Sequence, residues 1–335
     1  MNILYSCDDK YSPYTGVSVT SLFENNKDLD EINVYILGLR ISDGNTQKFN
    51  QLAEQYDRNI IIIDAEELND FLDAIGARQW RGTTAIWYRL FVERFIDEKV
   101  DKILYVDSDT LIMSSLAELA DFSFDENKAL AMLRWKKFKG YNKLIGLQEN
   151  DFYYNNGVIF FNVANWIALR CPERIMEAIE KGYVNFMNPE QDLLCHLFQG
   201  NIQCLPPRYN VLTQWIDVGV KNLSTIRDIN DDNFYPLEKI EEAIRNPAIA
   251  HVMKGHTGVP WVEGNKNPFK KEWHMYKKMS PWRDMPQVVE KRSFTNNVKI
   301  IMFAVLPKNI YCRILKVVNI WYTKRHYRKH GHFSF

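Results

Sequence analysis

The chain has 335 residues, of which 46% are hydrophobic and 13% aromatic, and its formal net charge is zero. This composition can bury a large core and excludes a globally disordered protein. The balance hides an asymmetry, because no acidic residue follows Glu290 whereas ten lysines and arginines lie between Lys291 and Lys329. By difference, the first 290 residues carry 32 basic and 42 acidic residues, a net charge of −10.

Strand-like and helix-like patterns alternate through the first two-thirds of the chain. The predicted strands are 2–6, 32–37, 60–63, 102–106, 129–133, 157–162 and 248–252, and the predicted helices are 17–24, 49–56, 84–95 and 190–198. Such alternation predicts an α/β fold in which helices flank a mostly parallel central sheet, and the strand at 248–252 is expected to return to that sheet. Residues 206–267 are richer in loops. We expect a catalytic domain over 1–280 and a basic helical appendage over 281–335.

Two aspartates separated by one serine follow a hydrophobic strand, at Asp107 and Asp109. Side chains two residues apart on an extended segment share a face, and a hard divalent cation would relieve the repulsion between the two carboxylates. Ligands of open α/β sheets bind beyond the carboxyl ends of the strands. The pair therefore predicts a metal site that grips a phosphate-bearing substrate. The alternatives are a helix cap at Asp109, before a helix starting at Thr110, and a solvated turn at Asp107.

The first predicted strand opens into a second polar segment, Asp8, Asp9, Lys10 and Tyr11. A carboxylate that accepts from a base edge, next to an aromatic face for stacking, would suit a nucleobase. An ordinary polar loop between a strand and a helix is the alternative.

In chain order these segments resemble glycosyltransferase family 8, whose members are retaining transferases of the GT-A fold. Four further segments carry the resemblance: Ala85 to Leu90 with Arg89, Tyr154 to Val158 with Asn155, the run Glu190-Gln191-Asp192, and Ile249 to His251 with Pro260 and Trp261 downstream. The resemblance covers residues 1–280 and implies a UDP-sugar donor.

The resemblance also implies a role for individual residues. The metal ligands would be Asp107, Asp109 and His251, and the catalytic group would be Gln191, Glu190 and Asp192. The donor-binding residues would be Ser6, Asp8, Asp9, Tyr11, Arg89, Ser108, Asn155, Lys254 and His256. Because imidazole suits Mn²⁺ better than Mg²⁺, Mn²⁺ is the expected ion, with Mg²⁺ as the alternative.

The chain departs from the family pattern at several positions. Lys10 stands where asparagine is usual, Glu190 where aspartate is usual, and Asn156 where a small residue is usual. Val259 occupies the place of a phosphate-binding lysine, and Lys254 or His256 would have to supply that charge. These differences leave the donor open among UDP-glucose, UDP-galactose and UDP-GlcNAc.

For the chemistry, we expect the acceptor to attack from the face of the leaving group. A phosphate oxygen of UDP would take the acceptor proton, and the amide oxygen of Gln191 would stabilise the oxocarbenium-like centre. The expected acceptor is a surface glycan of lipopolysaccharide, capsule or glycoprotein, bound in the region 206–267.

The basic segment 291–335 contains a predicted amphipathic helix at 309–323. One side of it carries Ile310, Ile314, Val317, Val318 and Trp321. A basic amphipathic helix with aromatic residues is typical of an anchor on an anionic membrane surface. A contact with another subunit, in a homo-oligomer, or with the chain's own catalytic domain is the alternative. Nucleic acid is not an expected partner, because the acidic main domain repels phosphate backbones.

The expected location is cytoplasmic, with peripheral binding at the inner membrane face. The N-terminal apolar stretch lacks a basic segment before it, so it predicts a strand and not a signal peptide. No run of about 18 apolar residues predicts a spanning helix. The five cysteines contain no Cys-x-x-Cys pair, which argues against a disulfide framework or a zinc cluster.

Two other functions remain open from the sequence. One is a protein without turnover that only recognises nucleotide-sugar or supports a partner transferase. The other is a phosphatase of the haloacid dehalogenase type, which is disfavoured because Leu111 stands where threonine or valine would be expected.

Overall fold

The computed structural model describes residues 1–79, 83–97, 99–183, 186–227, 229, 234–290 and 293–330. Within these ranges the strands are β1 (Asn2–Asp8), β2 (Asn33–Leu39), β3 (Asn59–Asp64), β4 (Lys102–Val106), β5 (Thr110–Ile112), β6 (Leu130–Trp135), β7 (Tyr153–Asn162), β8 (Ile202–Leu205), β9 (Val211–Leu212) and β10 (Ile249–His251). The α-helices are α1 (Ser12–Asn25), α2 (Asp43–Tyr56), α3 (Glu66–Ala74), α4 (Ala117–Ala120), α5 (Tyr141–Leu144), α6 (Val163–Ala168), α7 (Cys171–Glu180), α8 (Pro189–Leu197), α9 (Thr213–Val218), α10 (Leu223–Ile226), α11 (Leu237–Arg245), α12 (Lys270–Met279), α13 (Phe294–Val305) and α14 (Lys308–His330). Segments of 3₁₀ helix cover Ala85–Arg94, Gln199–Asn201, Pro207–Asn210 and Val220–Asn222.

A seven-stranded sheet with the order β3-β2-β1-β4-β7-β6-β8 forms the centre of the molecule. β1 is parallel to β2 and β4, β2 is parallel to β3, and β6 is parallel to β8. Among the described strands of this sheet, only β7 runs antiparallel to its neighbours, which are β4 and β6. The predicted α/β architecture with a mostly parallel sheet is confirmed.

The central strands are apolar along their whole length because both faces of the sheet are covered. In β4 every residue from Ile103 to Val106 is buried, and all of β7 up to Phe161 is buried. Helix α1 packs on the sheet, and the indole ring of Trp282 packs against α1 at Gly16. A Cβ atom at Gly16 would lie 2.1 Å from that ring. The Trp282 Nε1 atom donates to Oδ1 of Asn45 at 2.8 Å.

A second sheet of three strands, β5-β10-β9, lies beyond the end of β4. The prediction that residues 248–252 return to the central sheet is wrong, because β10 pairs antiparallel with β5 and parallel with β9. The alternative of a helix starting at Thr110 is also wrong, since Thr110–Ile112 is the strand β5. A short strand shows its apolar character in the sequence but not the identity of its pairing partner.

The C-terminal helices pack against the rest of the chain along one face. The predicted helix 309–323 lies inside α14, whose Tyr311, Cys312, Thr323 and Tyr327 are buried. The predicted apolar stripe lies on the other side and is exposed: Ile310, Ile314, Val317, Val318 and Trp321. Of the basic segment 291–335, residues 291, 292 and 331–335 lie outside the described ranges. Across the described helices, none combines the length and the apolar character that crossing a membrane requires.

Candidate active site

Three side chains that can hold a metal meet at the carboxyl end of β4. Asp107 and Asp109 follow that strand, and His251 is the last residue of β10. The Nε2 atom of His251 lies 3.1 Å from Oδ1 of Asp109 and 3.7 Å from Oδ2 of Asp107. Ligand atoms of all three lie within 4.8 Å of one another. The structure therefore brings the three predicted metal ligands together.

The second sheet produces this convergence. β5 begins directly after Asp109, and in its register with β10 Thr110 stands opposite His251. The backbone N–H of Val252 donates to the carbonyl oxygen of Asp109 at 2.8 Å. Strand pairing thus brings the backbone of His251 next to the segment that carries the two carboxylates.

Gly157 on β7 leaves the space that this cluster occupies. A Cβ atom at Gly157 would lie 2.2 Å from Cε1 of His251 and 3.0 Å from Oδ2 of Asp107, and 2.2 Å is far inside van der Waals contact. Two carboxylates and one imidazole form a donor set that can hold a divalent cation, and with Gly157 they make a cradle for an ion. The residues present therefore fit the divalent metal that the resemblance implies.

The tautomer of His251 follows from the hydrogen bonds behind it. The backbone N–H of Gly157 donates to the side chain of Asn155, which identifies the accepting atom as the oxygen Oδ1. Because an oxygen accepts, the Asn210 atom at 2.7 Å from it must be the donor Nδ2. Oδ1 of Asn210 then faces Nδ1 of His251 at 3.1 Å and accepts its proton. Nε2 of His251 is left facing the aspartates, and in the neutral imidazole it would offer its lone pair to an ion held between them, as metal ligation requires.

Arg89 places a fixed positive charge beside the cluster. Its Nη1 atom lies 2.8 Å from Oδ1 of Asp107 and donates to the carbonyl oxygen of Asn156 at 3.0 Å. The guanidinium lies over the ring of Tyr105, whose hydroxyl donates to Oδ1 of Asp107 at 2.7 Å. Burial lowers the pKa of Arg89, but Asp107, Tyr105 and Glu190 together outweigh burial and hold that pKa above its ordinary value.

Gln191, on α8, is held by contacts to β7. Its Oε1 atom accepts from Nδ2 of Asn155 at 3.3 Å and from the backbone N–H of Asn156 at 3.4 Å. Its Nε2 atom donates to the hydroxyl of Tyr153 at 2.5 Å. The orientation of the amide is therefore set by groups of the sheet, and its oxygen lies next to Asn155, which belongs to the chain of contacts behind His251.

Asp192 is completely buried, and its carboxylate is occupied by neighbouring donors. The hydroxyl of Tyr153 donates to it at 2.6 Å, the hydroxyl of Tyr141 at 2.9 Å and the backbone N–H of Asn188 at 2.9 Å. Burial raises the pKa of Asp192, although Lys137 and these hydrogen bonds act in the opposite direction. Because Tyr153 donates to Asp192, its oxygen is free to accept from Gln191, so Asp192 orients Gln191 through Tyr153.

Of the two carboxylates of this run, Glu190 and Asp192, Glu190 is the one that interacts with Arg89. Its Oε1 atom accepts from Nδ2 of Asn156 at 3.1 Å. Burial raises the pKa of Glu190, and the positive charge of Arg89 counteracts part of that rise.

The predicted nucleotide loop after β1 is tied to the body of the protein. Oδ1 of Asp8 accepts from the backbone N–H of Tyr11 at 2.9 Å. Oδ1 of Asp9 accepts from the N–H of Ser42 at 2.8 Å and from Nδ2 of Asn45 at 2.7 Å, and these hydrogen bonds lower the pKa of Asp9. The ring of Tyr11 is exposed on one side and meets the ring of Tyr14 edge-on, with 5.3 Å between the ring centroids.

Ser6 and Ser108 hold this loop next to the metal ligands. The hydroxyl of Ser108 accepts from Oγ1 of Thr15 at 2.8 Å and donates to the carbonyl oxygen of Ser6 at 3.3 Å. The hydroxyl of Ser6 donates to the carbonyl oxygen of Ala85 at 3.3 Å. Both serines therefore link β1 to its neighbours at the edge where the carboxylates lie.

Lys254 and His256 lie in the loop after β10 and contact later parts of the chain. Lys254 forms an ion pair with Glu290. The ring of His256 stacks on Phe303, and its Nδ1 atom is 2.9 Å from the hydroxyl of Tyr311. The two predicted phosphate-binding candidates thus face the C-terminal helices.

Several residues of the site were not predicted from the sequence. Tyr105 and Gly157 lie inside the segments that carry Asp107 and Asn155. Tyr105 is two residues before Asp107 and Gly157 is two residues after Asn155, and this spacing could have indicated both. Asn210 ends the 3₁₀ segment Pro207–Asn210, for which the sequence shows no pattern. Lys137 lies near Asp192, 5.1 Å from the ring centre of Tyr153, and burial lowers its pKa to about 8.

Comparison with known proteins places the chain among transferases. The profile described as Glycosyl transferase family 8 matches residues 2–253. A lipopolysaccharide 1,2-glucosyltransferase of Escherichia coli is 24% identical over 314 residues, which cover 90% of this chain and 86% of that protein. A lipopolysaccharide 1,3-galactosyltransferase of Salmonella typhimurium strain LT2 is also 24% identical and covers 84% of this chain and 79% of that protein.

Solved structures are similar at the level of the fold. The galactosyltransferase LgtC, in complex with donor and acceptor sugar analogs, superposes with a TM-score of 0.65 at 21% identity, covering 84% of this chain and 96% of that chain. The apo structure of the bifunctional glycosyltransferase WbbM gives a TM-score of 0.66 at 19% identity, covering 85% of this chain and 50% of that chain. The predicted GT-A fold is confirmed.

Proposed function

The chain belongs to glycosyl transferase family 8, and on that premise we propose that it is a retaining, Mn²⁺-dependent hexosyltransferase that uses a UDP-sugar. Mg²⁺ is the alternative ion. The convergence of Asp107, Asp109 and His251 within 4.8 Å carries this proposal, because a binding protein for neutral sugars has no need for such a cluster. A nucleotide-sugar-binding protein without turnover is the second candidate, favoured only by the departures at Lys10 and Glu190.

Within this proposal, different residues of the chain bind the diphosphate and the base of the donor. A divalent cation held by the cluster would act as a Lewis acid on the charge that develops on departing UDP. Arg89, fixed at 2.8 Å from Asp107, adds positive charge that is preorganised and needs no reorientation during reaction. We assign Tyr11 to stacking on the base, with Asp8 and Asp9 shaping the loop around it.

At the reacting carbon, we assign front-face attack with Gln191 as the stabilising group. The bond from the anomeric carbon to the β-phosphate oxygen breaks, the acceptor oxygen bonds to the same face, and its proton passes to the phosphate. Asp192 is a poor nucleophile here because it is buried and engaged by Tyr141 and Tyr153. Mass spectrometric detection of a sugar bound covalently to Glu190 or Asp192 during turnover would overturn this assignment.

The acceptor that we propose is a surface glycan, with lipopolysaccharide first. This choice is supported by the names of relatives such as the lipopolysaccharide 1,2-glucosyltransferase and 1,3-galactosyltransferase. The same names favour UDP-glucose and UDP-galactose over UDP-GlcNAc as the donor.

The reaction class is tested by measuring release of UDP from UDP-glucose, UDP-galactose, UDP-GlcNAc and UDP-GalNAc, with Mn²⁺ and with chelator. We expect release from one of these donors, abolished by chelator. Mn²⁺-dependent binding of UDP without release, even with lipopolysaccharide core added, favours the non-catalytic candidate. Release of inorganic phosphate instead of UDP contradicts a transferase, and absence of any UDP binding contradicts the whole proposal.

We further propose that α14 docks on an anionic membrane surface through its exposed apolar stripe, with the enzyme on the cytoplasmic side. The stripe lies beside lysines and arginines, and the opposite face packs on the catalytic part. A contact between two copies of the chain is the alternative use of the same stripe.

For the double change Val317→Glu and Trp321→Glu, we expect loss of most co-sedimentation with phosphatidylglycerol vesicles at low salt. Two acidic groups on the exposed stripe remove apolar contact and repel anionic lipid. The matched control is Ile167→Glu, an equally exposed apolar residue on α6. Equal vesicle binding by all three proteins, or a dimer of the unchanged chain that only the double variant dissociates, contradicts the membrane assignment.

A further inference from the structure

A pocket of about 360 Å³ lies between the loop after β10 and helix α13. One wall comes from residues 254–258, and the other from α13 and the start of α14. Four lysines line the pocket, Lys254, Lys266, Lys299 and Lys308, against a single acidic residue, Glu290, among its described lining residues. The pocket therefore has a surplus of positive charge.

The carboxylates near the pocket are already engaged. Glu290 pairs with Lys254. Behind the loop, Asp217 accepts from the backbone N–H of His256 at 2.7 Å and from the hydroxyl of Thr257 at 2.8 Å. Three lysine charges are left without a carboxylate in hydrogen-bonding contact among the described residues.

The C-terminal helices hold their lysines in place at this pocket. The ammonium group of Lys308 donates to the carbonyl oxygen of Phe303 at 3.2 Å and lies over that ring. Phe303 in turn stacks on His256, whose Nδ1 atom meets the hydroxyl of Tyr311 at 2.9 Å. Lys299 lies on the same helix as Phe303 and lines the pocket one turn earlier.

The same loop connects the pocket to the metal ligands. It leaves β10 directly after His251, and Gly255 passes so close to Asp217 that a Cβ atom would lie 2.4 Å from Oδ2. Helices α13 and α14 therefore contact the loop that follows His251, a proposed metal ligand.

We propose that this pocket binds a phosphate group and that Lys299 and Lys308 of the C-terminal helices supply two of its positive charges. A hydrogen bond from an ammonium group to a phosphate oxygen is charge-assisted and stronger than a neutral one, and lysine binds phosphate as a compact point charge. Two sources carry this chemistry, the diphosphate of the nucleotide donor and the headgroup of an anionic lipid beside the exposed Phe294 and Ile301 of α13. The inference rests on the proposed function only for the first source.

The test uses the full chain with Lys299→Gln and Lys308→Gln together, and inorganic pyrophosphate as the probe in the presence of chelator. Calorimetry should show saturable binding to the unchanged protein, and the double variant should weaken it about tenfold or more, since each lost contact is charge-assisted. The control is Lys324→Gln with Lys329→Gln, an equal charge change on exposed lysines of α14 outside the pocket, which should leave the affinity unchanged. The change of Lys299 and Lys308 to arginine should retain binding.

Two further measurements separate the sources. If the donor occupies the pocket, UDP displaces pyrophosphate and the affinity for UDP falls in the glutamine variant. If a lipid does, UDP does not compete, and binding of phosphatidylglycerol vesicles falls instead. No saturable binding of pyrophosphate at millimolar concentration, or equal weakening in both charge variants, overturns the proposal. Asp109→Asn should retain pyrophosphate binding in chelator, so a failure of the pocket is distinguishable from a failure of the proposed function.

Discussion

Replacing Asp109 by asparagine should reduce the rate of UDP release by about two to three orders of magnitude while leaving the fold intact. The change keeps the shape of the side chain but removes the anionic oxygen that lies 3.1 Å from Nε2 of His251. It also removes one of two neighbouring negative charges, so the free protein should lose little stability. The measurement is the steady-state rate of UDP release against Mn²⁺ concentration.

The matched control for this variant is Asp101→Asn, an exposed aspartate immediately before β4. It makes the same chemical change at the other end of the strand and should leave the rate unchanged. Addition of chelator should bring the unchanged protein down to the rate of Asp109→Asn and should have no further effect on that variant. A variant that keeps full activity and full sensitivity to chelator rules out Asp109 as a metal ligand.

The second large effect is expected from Gly157→Ala. The added Cβ atom would lie 2.2 Å from Cε1 and 2.6 Å from Nδ1 of His251, so the imidazole must move away from Asp107 and Asp109. Overpacking of this kind costs about 1–3 kcal/mol of stability. Because the three ligands no longer share one geometry, we expect Mn²⁺ affinity and activity to be lost together.

Thermal unfolding with and without Mn²⁺ measures this loss directly. A ligand at one hundred times its Kd stabilises the native state by about 2.7 kcal/mol, which shifts the Tm of the unchanged protein upward. Gly157→Ala should show no such shift. The control is Gly200→Ala, where no atom lies within 4 Å of the added Cβ and the shift should be retained. A normal Mn²⁺ shift in Gly157→Ala contradicts the cradle described above.

The central sheet was predictable because each of its strands carries an apolar run that ends in polar or turn residues. β4 and β7 are covered on both faces, and such runs stand out in a sequence even when the neighbouring strands are unknown. The direction of each strand was harder to predict from the sequence. β7 runs antiparallel to β4 although its composition resembles that of the parallel strands.

The second sheet was not predictable in the same way. β5 and β10 have three residues each, too few for a period to specify a partner, and β10 was assigned to the wrong sheet. His251 was nevertheless predicted as the third metal ligand through the family resemblance, which does not depend on which sheet carries it.

The supporting residues show where sequence reasoning ends. Asn210 orients His251 from the end of a short 3₁₀ segment, and Tyr153 connects Gln191 to Asp192. Each of these roles depends on a single hydrogen bond between segments distant in the chain. A polar residue in a loop or an aromatic residue in a strand has many ordinary uses, so its type and spacing do not indicate such a bond.

The proposed metal site combines residues that are far apart in the sequence: Asp107 and Asp109 follow β4, and His251 ends β10. During synthesis on a ribosome, Asp107 and Asp109 leave the exit tunnel long before His251, and β5 has no partner until β10 has been made. A growing chain therefore carries two adjacent carboxylates without their imidazole. The proposed metal site is complete only once nearly the whole catalytic region has been translated and folded, so we expect metal-dependent turnover to begin only at that stage.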